Sequence, residues 1–235
     1  MNVTVVGGTG DLGFGLALRL ADAGASITIG SRALDRAEAA AARALATVGP
    51  NATVRGKDNA EAVVDADVVF VTVPFAGQAD IYRSIAEHLP RDAVVCDTTT
   101  PLATAVGGRP THVLRPWHGS AAEQAKALLP KGARLVAGFH TLGAEALDDL
   151  PEPVEADVLL CGDDREDKAA VGGLVEKIPG LRWVDCGPLS MARVAEPITA
   201  LLISVNRAYG IKDSAVRLTG LPGWGTPDPR AGGRA

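Results

Sequence analysis

Apolar residues along this chain alternate between two periods. Asn2-Val3-Thr4-Val5-Val6 is a short β-branched run that stops at Gly7, which predicts a strand. Over residues 12–23 the side chains of Leu12, Leu16, Leu18, Leu20 and Ala23 return at helical spacing, and Gly24 breaks the pattern. Residues 26–29 predict a second strand, and the Ala-rich stretch 33–48 a helix that Gly49-Pro50-Asn51 terminates. Val68 to Val73 is a continuous apolar run closed by Pro74, followed by a predicted helix at 78–88 and a strand at 93–97. Beyond an irregular segment, 98–119, the pattern predicts helices at 121–129 and 165–178 and strands at 134–139, 157–161 and 181–186. Residues 190–209 predict a last helix, kinked or restarted at Pro197.

Strand runs that are apolar at successive positions are covered on both faces. Their alternation with helices predicts an α/β fold with a doubly wound, mostly parallel sheet. The sheet domain is expected to occupy residues 1–187 and a small C-terminal helical subdomain residues 188–221. The remainder, 222–235, is rich in Gly, Pro and Arg and reads as an unstructured tail.

Aromatic residues make up only 4% of the 235, so Ala, Val, Leu and Ile must do the packing. The net charge of −5 argues against nucleic acid and against an anionic membrane surface as partners. The longest apolar runs are strand-length and cannot span a bilayer, and the first seven residues lack the basic start of a signal peptide. Cys96, Cys161 and Cys186 are odd in number and widely spaced. They predict a reducing, cytoplasmic setting with no disulfide framework and no zinc site, each reading as a small apolar residue near a strand end.

Gly8-Thr9-Gly10-Asp11-Leu12-Gly13 fits G-x-G-x-x-G, and its context gives the pattern weight: a strand precedes it and a helix follows. Gly8 suits the tight turn, Gly10 the approach of a pyrophosphate to the backbone, and Gly13 close helix–strand packing. The helix N-terminus then presents N–H groups and a partial positive charge to phosphate. This is the phosphate loop of a Rossmann-type dinucleotide fold. At the end of the second strand an NAD site carries a carboxylate for the ribose hydroxyls; here the chain reads Gly30-Ser31-Arg32. Ser31 can donate to a 2′-phosphate, Arg32 can grip it and stack on adenine, and Thr9 and Arg36 can add to the site. The cofactor expected is NADP(H).

Ligands of such sheets lie beyond the carboxyl ends of the strands. That places Thr72, Val73, Pro74 and Phe75, the polar loop Thr98-Thr99-Thr100-Pro101 with spare hydroxyls, and Gly138-Phe139-His140-Thr141-Leu142 around the second reactant. Neither a metal-site motif nor a nucleophile motif is present in the sequence. Hydride transfer needs little beyond positioning, and His140 could hydrogen-bond a cofactor ring or stabilise charge on it.

With these residues assembled, the chain resembles the F-420-dependent NADP reductases, from Met1 to about Leu218. Three stretches carry the resemblance: Gly7 to Leu20 with Gly30-Ser31-Arg32; Phe139-His140-Thr141; and Cys161-Gly162-Asp163-Asp164 with Gly187-Pro188-Leu189-Ser190 and Arg193. The resemblance implies an oxidoreductase exchanging hydride between C5 of an 8-hydroxy-5-deazaflavin, coenzyme F-420, and C4 of the NADP nicotinamide. It implies that Thr9, Ser31 and Arg32 hold the 2′-phosphate and that Pro74 and Phe75 border the nicotinamide. His140, Leu142, Ser190 and Arg193 would lie near the deazaflavin, and the protein would be a homo-oligomer, a dimer. Arg115, Lys131, Arg134, Arg193 and Arg207 are the cations available to the deazaflavin's phosphate and glutamyl tail. Segment 98–119, Phe75 and the tail depart from the family pattern. Two alternatives therefore stand beside this reading: an NADPH-dependent reductase of another acceptor (flavin, imine or ferric chelate), and a non-catalytic NADP-binding sensor.

Overall fold

Backbone hydrogen bonds join the strands into one eight-stranded sheet in a computed structural model that describes residues 1–227. Strands β1 (Asn2–Val6), β2 (Ser26–Ser31) and β3 (Thr53–Asp58) run outward to one edge. The chain then crosses back and lays β4 (Val68–Val71), β5 (Val94–Asp97), β6 (Arg134–Ala137), β7 (Asp157–Gly162) and β8 (Arg182–Asp185) in order on the other side of β1. Every neighbouring pair is parallel except β6–β7. The reversal at β1 leaves a crevice between β2 and β4, where ligands of such sheets bind.

Helices α1 (Asp11–Asp22), α2 (Leu34–Val48), α3 (Asn59–Ala62), α4 (Phe75–Ile85), α5 (Ala121–Leu128), α6 (Ala144–Asp148), α7 (Arg165–Val175), α8 (Ala192–Ala195) and α9 (Ile198–Tyr209) cover and extend the sheet. Alternate strand residues point to opposite faces. Val5, Phe70, Cys96 and Val136 pack with Leu16 and Leu20 of α1 and Leu174 of α7 on one side. Val6, Val69, Val71, Val95 and Leu135 pack with Tyr82 and Ile85 of α4 and Ala125 of α5 on the other. Each fully buried Val, Leu, Ile or Phe contributes about 1.5–3 kcal/mol.

Arg19 of α1 is also buried, and it donates to the backbone carbonyls of Ala146, Leu147, Asp149, Leu150 and Glu152. One side chain thereby holds the 146–152 segment against α1.

The structure differs from the sequence expectations at identifiable places. β3, α3 and α6 were not predicted. β3 is a polar edge strand in which only Val54 is buried, so it carries no apolar signature. α4 begins at Phe75, before the predicted start, because Pro74 at its N-cap presets φ to −58°. The helix predicted at 190–209 is broken into a 3-10 turn (Leu189–Met191), α8 and α9, which restarts after Pro197. Segment 98–119 is an ordered excursion, closed by Ala103 N–H to His112 O at 2.8 Å and Leu114 N–H to Pro101 O at 2.7 Å. The expected unstructured tail starts as docked chain: Gly225 N–H donates to Trp183 O at 2.7 Å, and the Arg182 guanidinium lies 5.5 Å from the Trp224 ring centre. Residues 228–235, the rest of that expected tail, lie outside the described residues. Among the described residues no helix is long and apolar enough to cross a membrane.

Candidate active site

The turn from β1 into α1 is built by glycines with different tasks. Gly7 sits at φ +74°, where a side chain is strained. A Cβ on Gly8 would fall 2.8 Å from Val5 O, and one on Gly13 would fall 2.4 Å from Thr72 Oγ1. Gly10 is different: it is exposed, and the nearest atom to a Cβ there is 3.6 Å away. Gly10 is also the N-cap of α1, with no side chain capping the helix. The helix therefore offers its first-turn N–H groups and positive dipole end to whatever occupies the space before it. Asp11 and Leu12 lie on α1 itself, outside that space.

That space is a cavity of about 580 Å3 across the carboxyl ends of β1, β2 and β4. Thr9, Gly10, Ser31, Arg32, Arg36, Thr72, Val73 and Pro74 line it, as do Ala76 and Gly77 of α4. Arg32 and Arg36 are exposed at its rim and form no salt bridge among the described residues. Ser31 is buried, its Oγ accepting from Ala33 N–H at 3.3 Å. Asn59, at the start of α3, lines the same end and is 6% exposed, and its Oδ1 has no partner among the described residues. The glycine at position 30 makes room for it, since a Cβ there would come within 2.8 Å of that oxygen. Open backbone at Gly10, unpaired guanidinium groups and an absent carboxylate fit a dinucleotide carrying an extra phosphate.

At the β4 end, Thr72 Oγ1 donates to Val6 O at 3.0 Å, and Val73 and Pro74 present apolar surface. Phe75 is half-buried and does not line the cavity. Behind this wall is a buried polar network. Gln78 Nε2 lies 2.7 Å from Asp97 Oδ2 and 3.0 Å from Ala121 O, Tyr82 Oη donates to Asp97 Oδ2 at 2.9 Å, and Thr99 N–H donates to Asp97 Oδ1 at 2.6 Å. Burial pushes the Asp97 carboxyl and the Tyr82 hydroxyl up from their ordinary pKa values. The threonine hydroxyls expected to be spare are engaged: Thr98 with Val71 O at 3.0 Å, Thr99 with Asp97, and Thr100 with Thr199 at 3.0 Å. A buried hydroxyl must find a partner, and here the fold supplies it before any ligand does.

His140 follows β6 through Phe139, a non-glycine residue at φ 67°. Such a conformation persists only where packing imposes it; the Phe139 ring is buried edge-on to Phe70 with centroids 5.3 Å apart. His140 O accepts from Thr199 Oγ1 at 2.7 Å, while its Nε2 is buried without a partner among the described residues. Burial lowers the imidazole pKa to about 4, so the ring is neutral at ordinary pH. Leu142 is half-buried against the core beside it.

Ser190 and Arg193 lie on the stretch after β8, and the structure does not bring them or His140 into the 580 Å3 cavity. Ser190 borders a separate depression of about 370 Å3 with His118, Glu123 and Asp163. Arg193 is held by Glu123, with Nε to Oε2 and Nη2 to Oε1 both at 2.7 Å. Of the other cations, Arg134 opens β6 and pairs with Asp167, which places it and the preceding Lys131 at the amino-terminal ends of the strands, away from the cavity. The topology thus removes both as partners of a ligand at the carboxyl ends.

Comparison with known proteins places this arrangement. A family model described as NADP oxidoreductase, coenzyme F420-dependent, matches residues 2–101. The F420-dependent NADP reductase of Methanothermobacter thermautotrophicus is 41% identical over 224 residues, covering 94% of this chain and 96% of that protein. The enzyme of the same name from Methanocaldococcus jannaschii is 40% identical, over 94% of this chain and 99% of that one. The chain belongs to the F420-dependent NADP reductase family. A solved structure from Arthrobacter sp. FB24, described as a candidate F420-dependent NADP reductase, superposes with a TM-score of 0.77 at 26% identity, covering 93% of this chain and 99% of that one.

Within this family member, Asn59 and the Gln78–Asp97 network are the parts of the site that the sequence pattern did not reveal. Asn59 follows an edge strand without apolar periodicity, and Gln78 sits in a helix whose start was placed too late to turn it toward β5.

Proposed function

We propose that this reductase transfers hydride between NADP(H) and the deazaflavin coenzyme F-420, with the dinucleotide in the cavity between β2 and β4. The observation that carries this reading is the uncapped N-terminus of α1 beside Arg32 and Arg36, which form no ion pair among the described residues. The pyrophosphate fits against Gly10 and Thr9, with Gly8 and Gly13 keeping the turn and α1 close to the sheet. Ser31, Arg32 and Arg36 meet the 2′-phosphate, and Asn59 faces the adenosine half. Val73 and Pro74, with Thr72 behind them, back the nicotinamide half, and Phe75 steadies the start of α4 rather than touching the ring.

When both are bound, the chemistry is movement of a hydride between C4 of nicotinamide and C5 of the deazaflavin. The protein's part is positioning and exclusion of water. Neutral His140 supplies a hydrogen bond rather than a charge, Leu142 an apolar surface, and Ser190 a hydroxyl. Arg193 acts from its ion pair with Glu123, which fixes the guanidinium and reduces its net charge toward the ligand.

The sheet domain 1–187 and the C-terminal stretch 188–221 divide these tasks, and a second copy of the chain completes the assembly. A homodimer is supported by α9, where only Ala200 is buried while Leu201 is 62% and Tyr209 78% exposed. Three free cysteines suit a reducing, cytoplasmic setting.

The test is anaerobic mixing of the purified protein with NADPH and the oxidised deazaflavin. NADPH absorbance should fall as reduced deazaflavin accumulates, and the reverse reaction should run with NADP. Folded protein that binds NADPH yet moves no hydride in either direction would refute the activity, and faster turnover with free flavin would reassign the acceptor.

A further inference from the structure

Cys161 and Cys186 lie far apart in sequence, and β7 and β8 set them side by side. The parallel register runs from Asp157 opposite Arg182 to Leu160 opposite Asp185. Cys186 N–H to Leu160 O at 2.8 Å extends the ladder one residue past β8, and Gly162 N–H to Gly187 O at 3.0 Å then shifts it by one residue. Cys161 therefore lies across from Cys186 where the regular ladder ends. Both side chains belong to the sheet face that holds Leu135, Ala137 and Leu189. Adjacent strands are about 4.8 Å apart, inside the roughly 4.4–6.8 Å between Cα atoms that a disulfide spans.

The thiols already act on one another. Cys186 Sγ donates to Val184 O at 3.6 Å, and the proximity of the two thiols pushes Cys161 up and pulls Cys186 down from the ordinary range. Cys161 is buried and Cys186 half-buried, so one sulfur can meet a small reagent while the other backs it. The Lys168 ammonium, paired with Asp185 and held by Gly187 O at 3.2 Å, favours the thiolate at both sulfurs, while burial and the Asp185 carboxylate oppose it at Cys186. Partial exposure of Cys186 is what opens the pair to a small reagent. Cys96, by contrast, is fully buried on the opposite face of the sheet.

We propose that Cys161 and Cys186 form a redox modification site, in which a low-molecular-weight disulfide oxidises the pair to a disulfide across β7 and β8. The Cys186 thiolate attacks one sulfur of the oxidant, and half of the oxidant leaves as a thiolate that takes up a proton. The Cys161 thiol then releases its proton as its sulfur bonds to that of Cys186, and the other half of the oxidant leaves as a thiol. The protein pair loses two electrons and two protons, and the oxidant is reduced to two thiols. Closure draws the facing Cβ atoms to about 3.8 Å. The strand that yields is β8, because β7 is flanked by two strands while β8 has, among the described residues, only the bridge at Gly225 on its outer side. The shift enters the turn of Gly187, Pro188, Leu189 and Ser190 directly after it, so oxidation alters deazaflavin binding and leaves the dinucleotide cavity alone. This consequence rests on the proposed placement of the deazaflavin near Ser190; the chemistry of the pair does not.

The full chain, reduced and then incubated anaerobically with hydroxyethyl disulfide, is alkylated and mapped by peptide mass spectrometry. A peptide pair joined through Cys161 and Cys186, cleaved again by dithiothreitol, is expected, with Cys96 alkylated only after unfolding. Cys161→Ser should stop at a mixed disulfide on Cys186, and Cys186→Ser should leave Cys161 a thiol. A wild-type protein with all three cysteines still alkylatable, or one carrying an unclosed adduct, overturns the site. In the oxidised protein the KM for the deazaflavin should change several-fold with the Kd for NADPH unchanged. Linkage with an unchanged deazaflavin KM overturns the coupling to the turn. The peptide map is independent of where the deazaflavin sits, so the two failures are distinguishable.

Discussion

Arg19 lies 3% exposed within α1 with its donors on five backbone carbonyls, whereas Arg32 stands exposed at the cavity rim without a partner among the described residues. Replacing Arg19 by Met removes the donor shared by five carbonyls of the largely part-buried 146–152 segment. A loss of roughly 3–5 kcal/mol is expected in urea unfolding, and a variant within about 0.5 kcal/mol of wild type would contradict that role. Replacing Arg32 by Ala leaves the fold alone and removes a charged hydrogen bond to phosphate. NADP binding should weaken by about 1.5–3 kcal/mol, read by titration, while NAD binding barely changes. Equal weakening toward both dinucleotides would mean that Arg32 contacts something other than the 2′-phosphate. The two arginines are indistinguishable as sequence; Arg32 is recognisable only because Gly30-Ser31-Arg32 follows a strand at the distance of the ribose-binding position.

At the level of elements, α5 is capped by its own Ser120, which accepts from Glu123 N–H at 3.0 Å, and also from outside itself. Glu196, at the joint between α8 and α9, accepts from Ala121 N–H at 2.9 Å and Ala122 N–H at 3.0 Å, and it is 1% exposed. Burial, with Asp97 and Glu123 nearby, pushes its carboxyl up to about 8, against the pull of the two N–H groups. A carboxyl whose folded pKa is raised binds its proton more tightly in the native state. Its stabilising contribution is therefore present at low pH and is lost as pH rises from the unfolded value toward about 8. Wild-type thermal stability should decline across that window, and Glu196→Gln, which keeps one acceptor for α5 and cannot ionise, should show a flatter profile. Parallel profiles for the two proteins would count against Glu196 as the titrating group. Elements with an apolar period, such as β1, α1, β4 and β5, were legible in the sequence to within a few residues. β3 was not, because an edge strand beside β2 can be polar and still complete its hydrogen bonds.

For the whole molecule, the exposed apolar residues of α9 are where the proposed second copy would dock. Leu201 and Val205 are one helical turn apart, and Val194 nearby is 60% exposed. Light scattering should give twice the chain mass for wild type and the single-chain mass for the pair Leu201→Glu with Val205→Glu. A wild-type monomer at micromolar concentration would remove the dimer. The candidate site divides in the same way between what could and could not be read. The Gly8, Gly10, Gly13 and Arg32 half is contiguous with one strand–turn–helix unit, so local spacing exposed it. The half around His140, Ser190 and Arg193 draws on segments after β6 and β8, and no spacing rule reports that Glu123 already holds Arg193 or that Thr100 engages Thr199.

The order of apolar and polar residues alone determined the alternation of strands and helices, the phosphate turn and the preference for an extra phosphate, because each depends on neighbours within a few tens of residues. Tertiary structure alone decided which buried polar groups are satisfied, which arginines are free, where Asn59 faces and which cysteines meet. Those outcomes depend on strand order and register, and the pairing of β7 with β8 brings Cys161 beside Cys186 through contacts that no local pattern encodes.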